Sequence, residues 1–470
     1  VQQSFFPNSL RPQYMVDICR PQGAAIERTA QDIERLADFV GGLENTTATT
    51  TFTGQGALRF LLTYEPAMPS ASYAQLLVTV KDYREIDRMI ALSRDWLDAN
   101  LPEVESKVKK FAIGPSAGAK VEARIIGHDP AVLRGLSEQV KDAFESVPGA
   151  YSVRDDWRQP IPVVSPRVSD ANSSRLGLSR VEISDSLAAS SSGLRVGVYR
   201  ESNDLLPIVL RLPEDERSGA EAITNTQILD QSGGAYSLGQ VAPSTELEWE
   251  TSIIWRKNRM RTLTVFADPL EGNADRLFRA IRPEVEKIDM PPGYRLEWGG
   301  EYESSRDAQA SLFRLVPIYF MAMVVIVIML FNALRQPAII FLCLPLATIG
   351  VSAGLLGFNE SFGFMALLGF MSLSGMLIKN AVVLIDQIDL EMSEGKQPFA
   401  AILDASTSRL RPVVMAAMTT VLGMIPLVFD PFYAAMSVTI MGGLAFGTVL
   451  TLVVVPVLYA LLFRIRPARA

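Results

Sequence analysis

The stretch GFMSLSGMLIKNAVVLIDQI (369–388) is apolar enough to lie in a lipid bilayer, yet it carries Lys379 with Asn380 beside it. An ammonium at the centre of a membrane helix costs about 2.5–3.5 kcal/mol even on the mildest insertion scales, so it either snorkels to the interface or is kept for a partner. Heptad-like spacing places Ser372, Lys379 and Asp386 on one helix face with Gly375 beside them, a stripe of small and polar residues. Asp386 lies about 10 Å along the axis from Lys379, too far for a direct pair and close to the end of the apolar run. The next apolar run has Arg409 at its entrance and Thr419, Thr420 and Gly423 inside, but no acid. The remaining runs have acids only at their outer ends, Glu360 and Asp430. The chemistry open to such a set is a charge relay. A carboxylate opposed to Lys379 titrates as protons arrive, and the lysine changes partner as it does. No carboxylate of this sequence reaches Lys379 at mid-membrane, so the acidic member is expected on a helix of another segment.

Other chemistries have little support. Cys19 belongs to the soluble part and Cys343 to a membrane run, and His128 is the single histidine, which argues against a metal site built on His/Cys clusters. Twelve of the seventeen methionines lie in the membrane part, and the other five (Met15, Met68, Met89, Met260, Met290) are scattered, as core packing requires and soft-metal ligation does not. GVSAG (350–354) has the G-x-S-x-G spacing but sits within a membrane helix, not at a strand-to-helix turn. GQGALRF (54–60) lacks a Walker pattern, so no nucleotide site is visible, no cofactor is expected and the work is not driven by ATP bound here.

These residues must be positioned by five apolar runs, read as 312–331, 338–358, 364–386, 412–429 and 434–463, with a charged connector over 386–411. Arg335, Lys396, Arg409, Arg411, Arg464, Arg466 and Arg469 all fall on one side, and the short loops around Glu360 and Asp430 have no basic residue. The positive-inside rule then makes the C-terminus cytoplasmic and residues 1–311 external, the periplasm in a bacterium. An external start without a signal peptide leads us to expect a preceding membrane helix, and hence that the chain is the C-terminal part of a longer protein. Residues 1–311 carry a net charge of −9, which argues against a nucleic-acid partner.

The soluble part reads as strand–helix–strand units. YMVDICR (14–20) and AQLLVTVKD (74–82) are strands. Each precedes a helix, one marked by Ile26, Ile33, Leu36 and Val40, the other by Ile86, Met89, Ile90, Trp96 and Leu97, giving a split βαββαβ, ferredoxin-like unit. A second unit is divided in sequence. VEARIIGH (121–128), a helix capped at Asp129 and Pro130, and YSVRDDW (151–157) form one half; RTLTVFAD (261–268), a helix from about Asn273, and YRLEWGG (294–300) form the other. Residues 162–258 lie between them as a helix-plus-sheet insertion that includes a capping box from Ser179 to Glu182. The expected class is therefore α+β, with two ferredoxin-like subdomains, an inserted subdomain and a five-span α-helical membrane bundle. The boundaries are 1–115, 116–161, 162–259, 260–308 and 309–470.

FFP (5–7), WGGEYE (298–303), GMLIKNAVVLID (375–386), RLRPVVM (409–415) and LGMIPL (422–427), in this order and spacing, resemble the C-terminal half of resistance–nodulation–division (RND) transporters. The likeness is greatest to the hydrophobe/amphiphile, multidrug-type efflux pumps of Gram-negative inner membranes. It implies two similar halves with twelve spans, a homotrimer embedded in membrane lipids, and a periplasmic adaptor and outer-membrane channel reached through the inserted docking subdomain. It also implies drug/proton antiport of amphiphilic small molecules rather than enzymatic catalysis. The family's relay sets two aspartates of the N-terminal half against a Lys, an Arg and a Thr. The first two fall on Lys379 and Arg409, while the Thr position is Ala416 here, leaving Thr419 or Thr420 to supply a hydroxyl. The two ferredoxin-like subdomains become the pore-cleft part of a porter. Of the family's aromatic drug pocket, NTTATTTF (45–52) keeps only Phe52, and Arg154 falls where the family has an arginine near the outer pocket. The alternatives are an RND-type exporter of lipids or metal ions, and a non-transporting periplasmic binding or assembly module anchored in the membrane.

Overall fold

The computed structural model describes residues 9–113, 118–217, 223, 225–230, 233–270 and 274–465. FFP (5–7), Asn273, Arg466 and Arg469 lie outside the described residues. The first subdomain contains β1 (Gln13–Cys19), α1 (Ile26–Gly41), β2 (Thr46–Thr53), β3 (Tyr73–Val80), α2 (Ile86–Asn100) and β4 (Glu105–Lys110). Its antiparallel sheet runs β2-β3-β1-β4, the ferredoxin-like order. Alternation along the strands decides what each face carries. Tyr14, Val16, Ile18, Leu76, Val78 and Val108 pack against Ile33, Leu36 and Val40 of α1 and Met89, Ile90 and Leu97 of α2. The intervening residues Asp17, Cys19, Tyr73, Gln75, Lys107 and Lys109 are thereby sent to the opposite face.

The second subdomain is closed by strands that are far apart in sequence. It is built from β5 (Val121–Gly127), α3 (Pro130–Glu145), β6 (Ala150–Asp155), β7 (Met260–Pro269), α4 (Ala274–Val285) and β8 (Arg295–Gly299). β7 pairs with β5 (Val265 opposite Ala123) and with β6 (Phe266 opposite Arg154), and β8 pairs with β5, so the order β6-β7-β5-β8 repeats that of the first sheet. Asp129 caps α3 by accepting from the Ala131 N–H, with Pro130 at the first helical position. Buried Trp157 donates from Nε1 to the Thr262 carbonyl at 2.8 Å, fastening the two halves together.

Residues 159–252 form a compact unit of their own. Ile161–Arg167 pairs with Ser244–Glu250, and Leu194–Glu201 forms a hairpin with Asp204–Leu210. The Ser179–Glu182 capping box is present, opening the helix Arg180–Ser190 over a small core of Leu178, Ile183, Ile228, Leu238 and Val241.

Five spans long and apolar enough to cross a membrane follow. They are α5 (Gly300–Phe331), α6 (Arg335–Cys343) with α7 (Ala347–Gly357), α8 (Phe364–Ser393), α9 (Pro398–Val428) and α10 (Ala434–Leu462). Three features differ from the hydropathy reading. The helix of the first span begins at Gly300, twelve residues before the apolar run, because the polar residues there are competent helix formers. The second span is broken between α6 and α7 beside Pro345. The charged connector expected over 386–411 is helical except for 394–397, where Gly395 at φ +91° allows the reversal. Charge limits the bilayer but does not end a helix, so Arg409 lies well inside α9 rather than at its entrance. Similarly, the first span ends at Asn332, in the left-handed region at φ 48°, and Arg335 opens α6. The bundle closes around α10 through small residues: a Cβ on Gly442 would stand 2.8 Å from the Gly350 carbonyl oxygen.

Candidate functional site

α8 buries Leu373, Leu377, Ala381, Leu384 and Ile388 within the bundle. The stripe of Ser372, Gly375, Lys379 and Asp386 is exposed. A Cβ on Gly375 would meet nothing within 4 Å, so this face is open to another helix. Among the described residues, no group forms a hydrogen bond or ion pair with the Lys379 ammonium or the Asp386 carboxylate. On α9, the Thr419 and Thr420 hydroxyls both donate to the Ala416 carbonyl, at 2.9 and 3.0 Å. Both hydroxyls thus lie one turn beyond Ala416, the relay-threonine position, and satisfy their own helix.

Arg409 does not meet Lys379 or Asp386. Its Nε and Nη2 donate to Gln387 Oε1 at 3.1 and 2.5 Å. Gln387 Nε2 in turn donates to Glu391 at 3.1 Å, Glu391 pairs with Lys396, and Lys396 pairs with Asp404 at 3.0 Å. A second polar knot at the same end joins Asp389 to the Tyr459 hydroxyl and to Gln336 Nε2. Neither Gln387 nor Asp389 stood out in the sequence. The available signal was a run of four polar residues, Asp386, Gln387, Asp389 and Glu391, on a helix otherwise read as ending at Asp386.

The second site is a cleft of about 290 Å³ between the two α/β subdomains. One wall is the helix-free face of the first sheet. There Asp17 accepts from the Tyr73 hydroxyl and Gln75 Nε2, each at 2.7 Å, and pairs with Lys109 at 2.9 Å. The other wall brings Arg154, Asp155, Asp156, Arg158 and Phe266. Several contacts cross between the walls, among them Ser152 Oγ donating to the Ser106 carbonyl at 3.1 Å. Lys107 Nζ lies 2.9 Å from Asp268 Oδ2, and Arg158 Nη2 donates to the Cys19 sulfur at 2.9 Å. Arg154 shares Asp268 at 3.8 Å, donates to Ser152 and to the Gly118 carbonyl, and lies over the Phe266 ring.

Burial and crowding shape the charges here. Burial, with Arg154 and Lys109 nearby, brings the Lys107 ammonium down to about 8 against the pull of Asp268. Burial alone would raise the Asp268 carboxyl, but Lys107 and Arg154 outweigh it and hold it at about 2. Asp17 is likewise lowered, as Lys109, Gln75 and Tyr73 overcome its burial. Burial pushes the Asp156 carboxyl up to about 7 and the Cys19 thiol up to about 11. The recess offers balanced charges beside Met68, Trp255 and Phe266, a lining suited to a solute with both polar and apolar parts. Phe52 is not in that lining; it packs at the edge of a separate cluster of Met15, Ala57, Tyr64 and Phe111. Of the two expected substrate residues, only Arg154 reaches the cleft. Asp17 and Lys107 were missed, although a carboxylate inside the apolar strand YMVDIC marks a face that needs a cation.

Two ferredoxin-like subdomains, an insertion and a five-span bundle are the architecture of the C-terminal half of the RND class. The chain belongs to the AcrB/AcrD/AcrF family, whose model matches residues 1–463. It is 27% identical over 365 residues to the cobalt-zinc-cadmium resistance protein CzcA of Cupriavidus metallidurans, a match covering 73% of this chain and 33% of that one. It is 26% identical over 299 residues to the swarming motility protein SwrC of Bacillus subtilis, covering 62% of this chain and 28% of the other. The crystal structure of a heavy metal efflux pump aligns over 99% of this chain and 49% of its own, with a TM-score of 0.81 and 24% identity. The chain thus spans about half the length of that pump, and its match to CzcA spans a third of that protein. CzcA and the solved pump are both named for metals, not drugs, and lend no support to the multidrug subtype within the family.

Proposed function

We propose that this chain is the C-terminal half of a proton-driven inner-membrane exporter, with residues 1–311 periplasmic and the C-terminus cytoplasmic. The observation that carries the reading is Lys379, exposed and without a partner among the described residues, on an open, small-residue face of an apolar helix. A carboxylate on a helix of the other half would face it across that stripe. When the carboxylate is ionised it holds Lys379; when it takes a proton the pair dissolves and the helices shift. Arg409 is the second cation of the relay. Asp386 stands at the cytoplasmic border, and Thr419 or Thr420 supplies the hydroxyl. Cargo passes through the cleft between the two α/β subdomains, where Arg154 and Phe266 present a cationic and aromatic wall. The assembly is a homotrimer working with a periplasmic adaptor and an outer-membrane channel.

The cleft chemistry favours amphiphilic organic cargo. Its carboxylates are already engaged: Asp17 with Lys109 and Tyr73, Asp155 with Lys141 at 3.0 Å, and Asp156 with the Thr264 N–H at 2.9 Å. A metal ion would have to displace those partners. The likeness to CzcA and to the solved heavy metal efflux pump supports a second reading, metal-ion export. The test is transport by the complete pump in proteoliposomes under an imposed proton gradient, with an amphiphilic dye and with Zn²⁺ or Co²⁺ as alternative cargo. Dye movement lost in Lys379→Ala supports the main reading. Metal movement without dye movement replaces it with the second, and transport that persists in Lys379→Ala removes the relay.

A further inference from the structure

Arg409 carries a full positive charge into the bundle, and the side chain that holds it is neutral. Both of its bonds go to one amide oxygen, Gln387 Oε1. An amide is a good acceptor for a guanidinium but leaves the charge uncancelled, whereas a carboxylate in the same place would neutralise it. The nearby carboxylates are directed elsewhere. On α8, Asp386 is exposed, Asp389 is taken by Tyr459 and Gln336, and Glu391 by Gln387 and Lys396. On α9, Asp404 takes Lys396 and Arg411 is exposed; α10, packed against both, has no charged residue between Ala434 and Leu462. Among the described residues Arg409 therefore has no counter-ion, only a holder.

We propose that Gln387 is a positioning residue of the proton relay, keeping Arg409 at the α8–α9 contact with its charge intact until an ionised carboxylate of the other half competes for it. The inference rests on the relay reading above. The bond that holds Arg409 opposes its transfer, so the amide helps set the pH at which that carboxylate takes up a proton. Gln387→Leu removes the competitor, strengthens the Arg409–carboxylate pair and lowers the carboxylate's pKa. Gln387→Glu neutralises Arg409 in place, deprives the carboxylate of its cation and raises that pKa.

The measurement is proton-coupled dye efflux by the complete pump in proteoliposomes, taken across about pH 5.5–8.5, where a shift of one unit reports a tenfold change in the underlying proton equilibrium. Gln387→Leu is expected to move the profile's midpoint to lower pH and Gln387→Glu to higher pH, each by about half a unit to one unit. A role confined to packing would reduce the maximal rate or the yield of both variants without opposite shifts. If Gln387→Leu fails to accumulate, Gln387→Asn, whose amide falls one methylene short of Arg409, replaces it with the same expected sign. Lys379→Ala is the control. If it still couples protons to efflux, the relay reading falls and this inference with it. If it is inactive while the Gln387 variants keep the wild-type midpoint or shift the same way, the positioning role alone is overturned.

Discussion

Lys107 and Lys379 are both lysines in surroundings hostile to charge, and the molecule treats them in opposite ways. Lys107, at the wall of the cleft, is supplied with Asp268 at 2.9 Å and the Gly118 carbonyl, all from this chain. Lys379 is given small and polar neighbours, an open face and, among the described residues, no acceptor. A soluble domain must satisfy its own buried charge to fold, so the cost of Lys107 is met locally. A membrane helix can defer that cost to a neighbouring helix, and the deferral makes the charge responsive. The pair built to be permanent stabilises the fold, and the charge left open is the one suited to coupling.

The sharpest way to break this contrast is to delete each lysine in the complete pump. Lys379→Ala should reduce proton-coupled efflux at least 100-fold, equivalent to about 2.7 kcal/mol, while trimer yield and melting temperature hold. A stability loss as large as the activity loss would make Lys379 an ordinary structural lysine. At the cleft, Asp268→Asn leaves Lys107 and Arg154 without their carboxylate and should destabilise the periplasmic part by about 3 kcal/mol, read as a lowered melting temperature. Lys107→Met combined with Asp268→Leu removes both charges and should recover much of that loss. Failure of the double variant to recover would mean that the pair is needed for geometry rather than neutralisation.

Acid separates the two regions further. Asp268 is held at about 2, below its ordinary 3.8. Its folded pKa is depressed, so its contribution is fully present above pH 4 and is lost as pH falls towards 2. The loss amounts to about 2 kcal/mol from a shift of nearly two units. Thermal melts of wild type and Asp268→Asn should converge over that window. Parallel curves would show that the carboxylate is not the titrating group. Asp156, raised to about 7, works the other way: its favourable contribution is complete below pH 4 and declines as pH rises towards 7.

Much of the scaffold was legible in advance because it rests on local pattern. The alternation in YMVDICR, the helical spacing of Ile33, Leu36 and Val40, the Asp129–Pro130 cap and the Ser179–Glu182 box each fix a short element by sterics and hydrogen bonding alone. The pairing of β5 and β6 with β7 was also readable, since two half-patterns separated by an insertion complete one topology. The helical connector was not, because hydropathy marks the bilayer and is blind to charged helix beyond it. The cleft was missed for a different reason. Lys107 and Asp268 are 161 positions apart, and nothing local to either announces the other. Lys379 was found because its anomaly is local, a charge within an apolar run, whereas its remedy is not.

The smallest effect tests the open face itself. Gly375 has empty space around its missing Cβ, and glycine is the poorest helix former after proline. Within this half alone, Gly375→Ala should therefore leave α8 unharmed or stabilise it by up to about 1 kcal/mol. If a helix of the other half packs on the stripe of Ser372, Gly375 and Lys379, the same methyl group stands in its path. The complete pump should then lose activity by a few-fold, and Gly375→Leu by much more. Opposite signs for the isolated half and the assembled pump are what a face built for an outside partner requires. Matching gains in both would mean that the face meets lipid, and that Lys379 reaches the interface instead of a carboxylate.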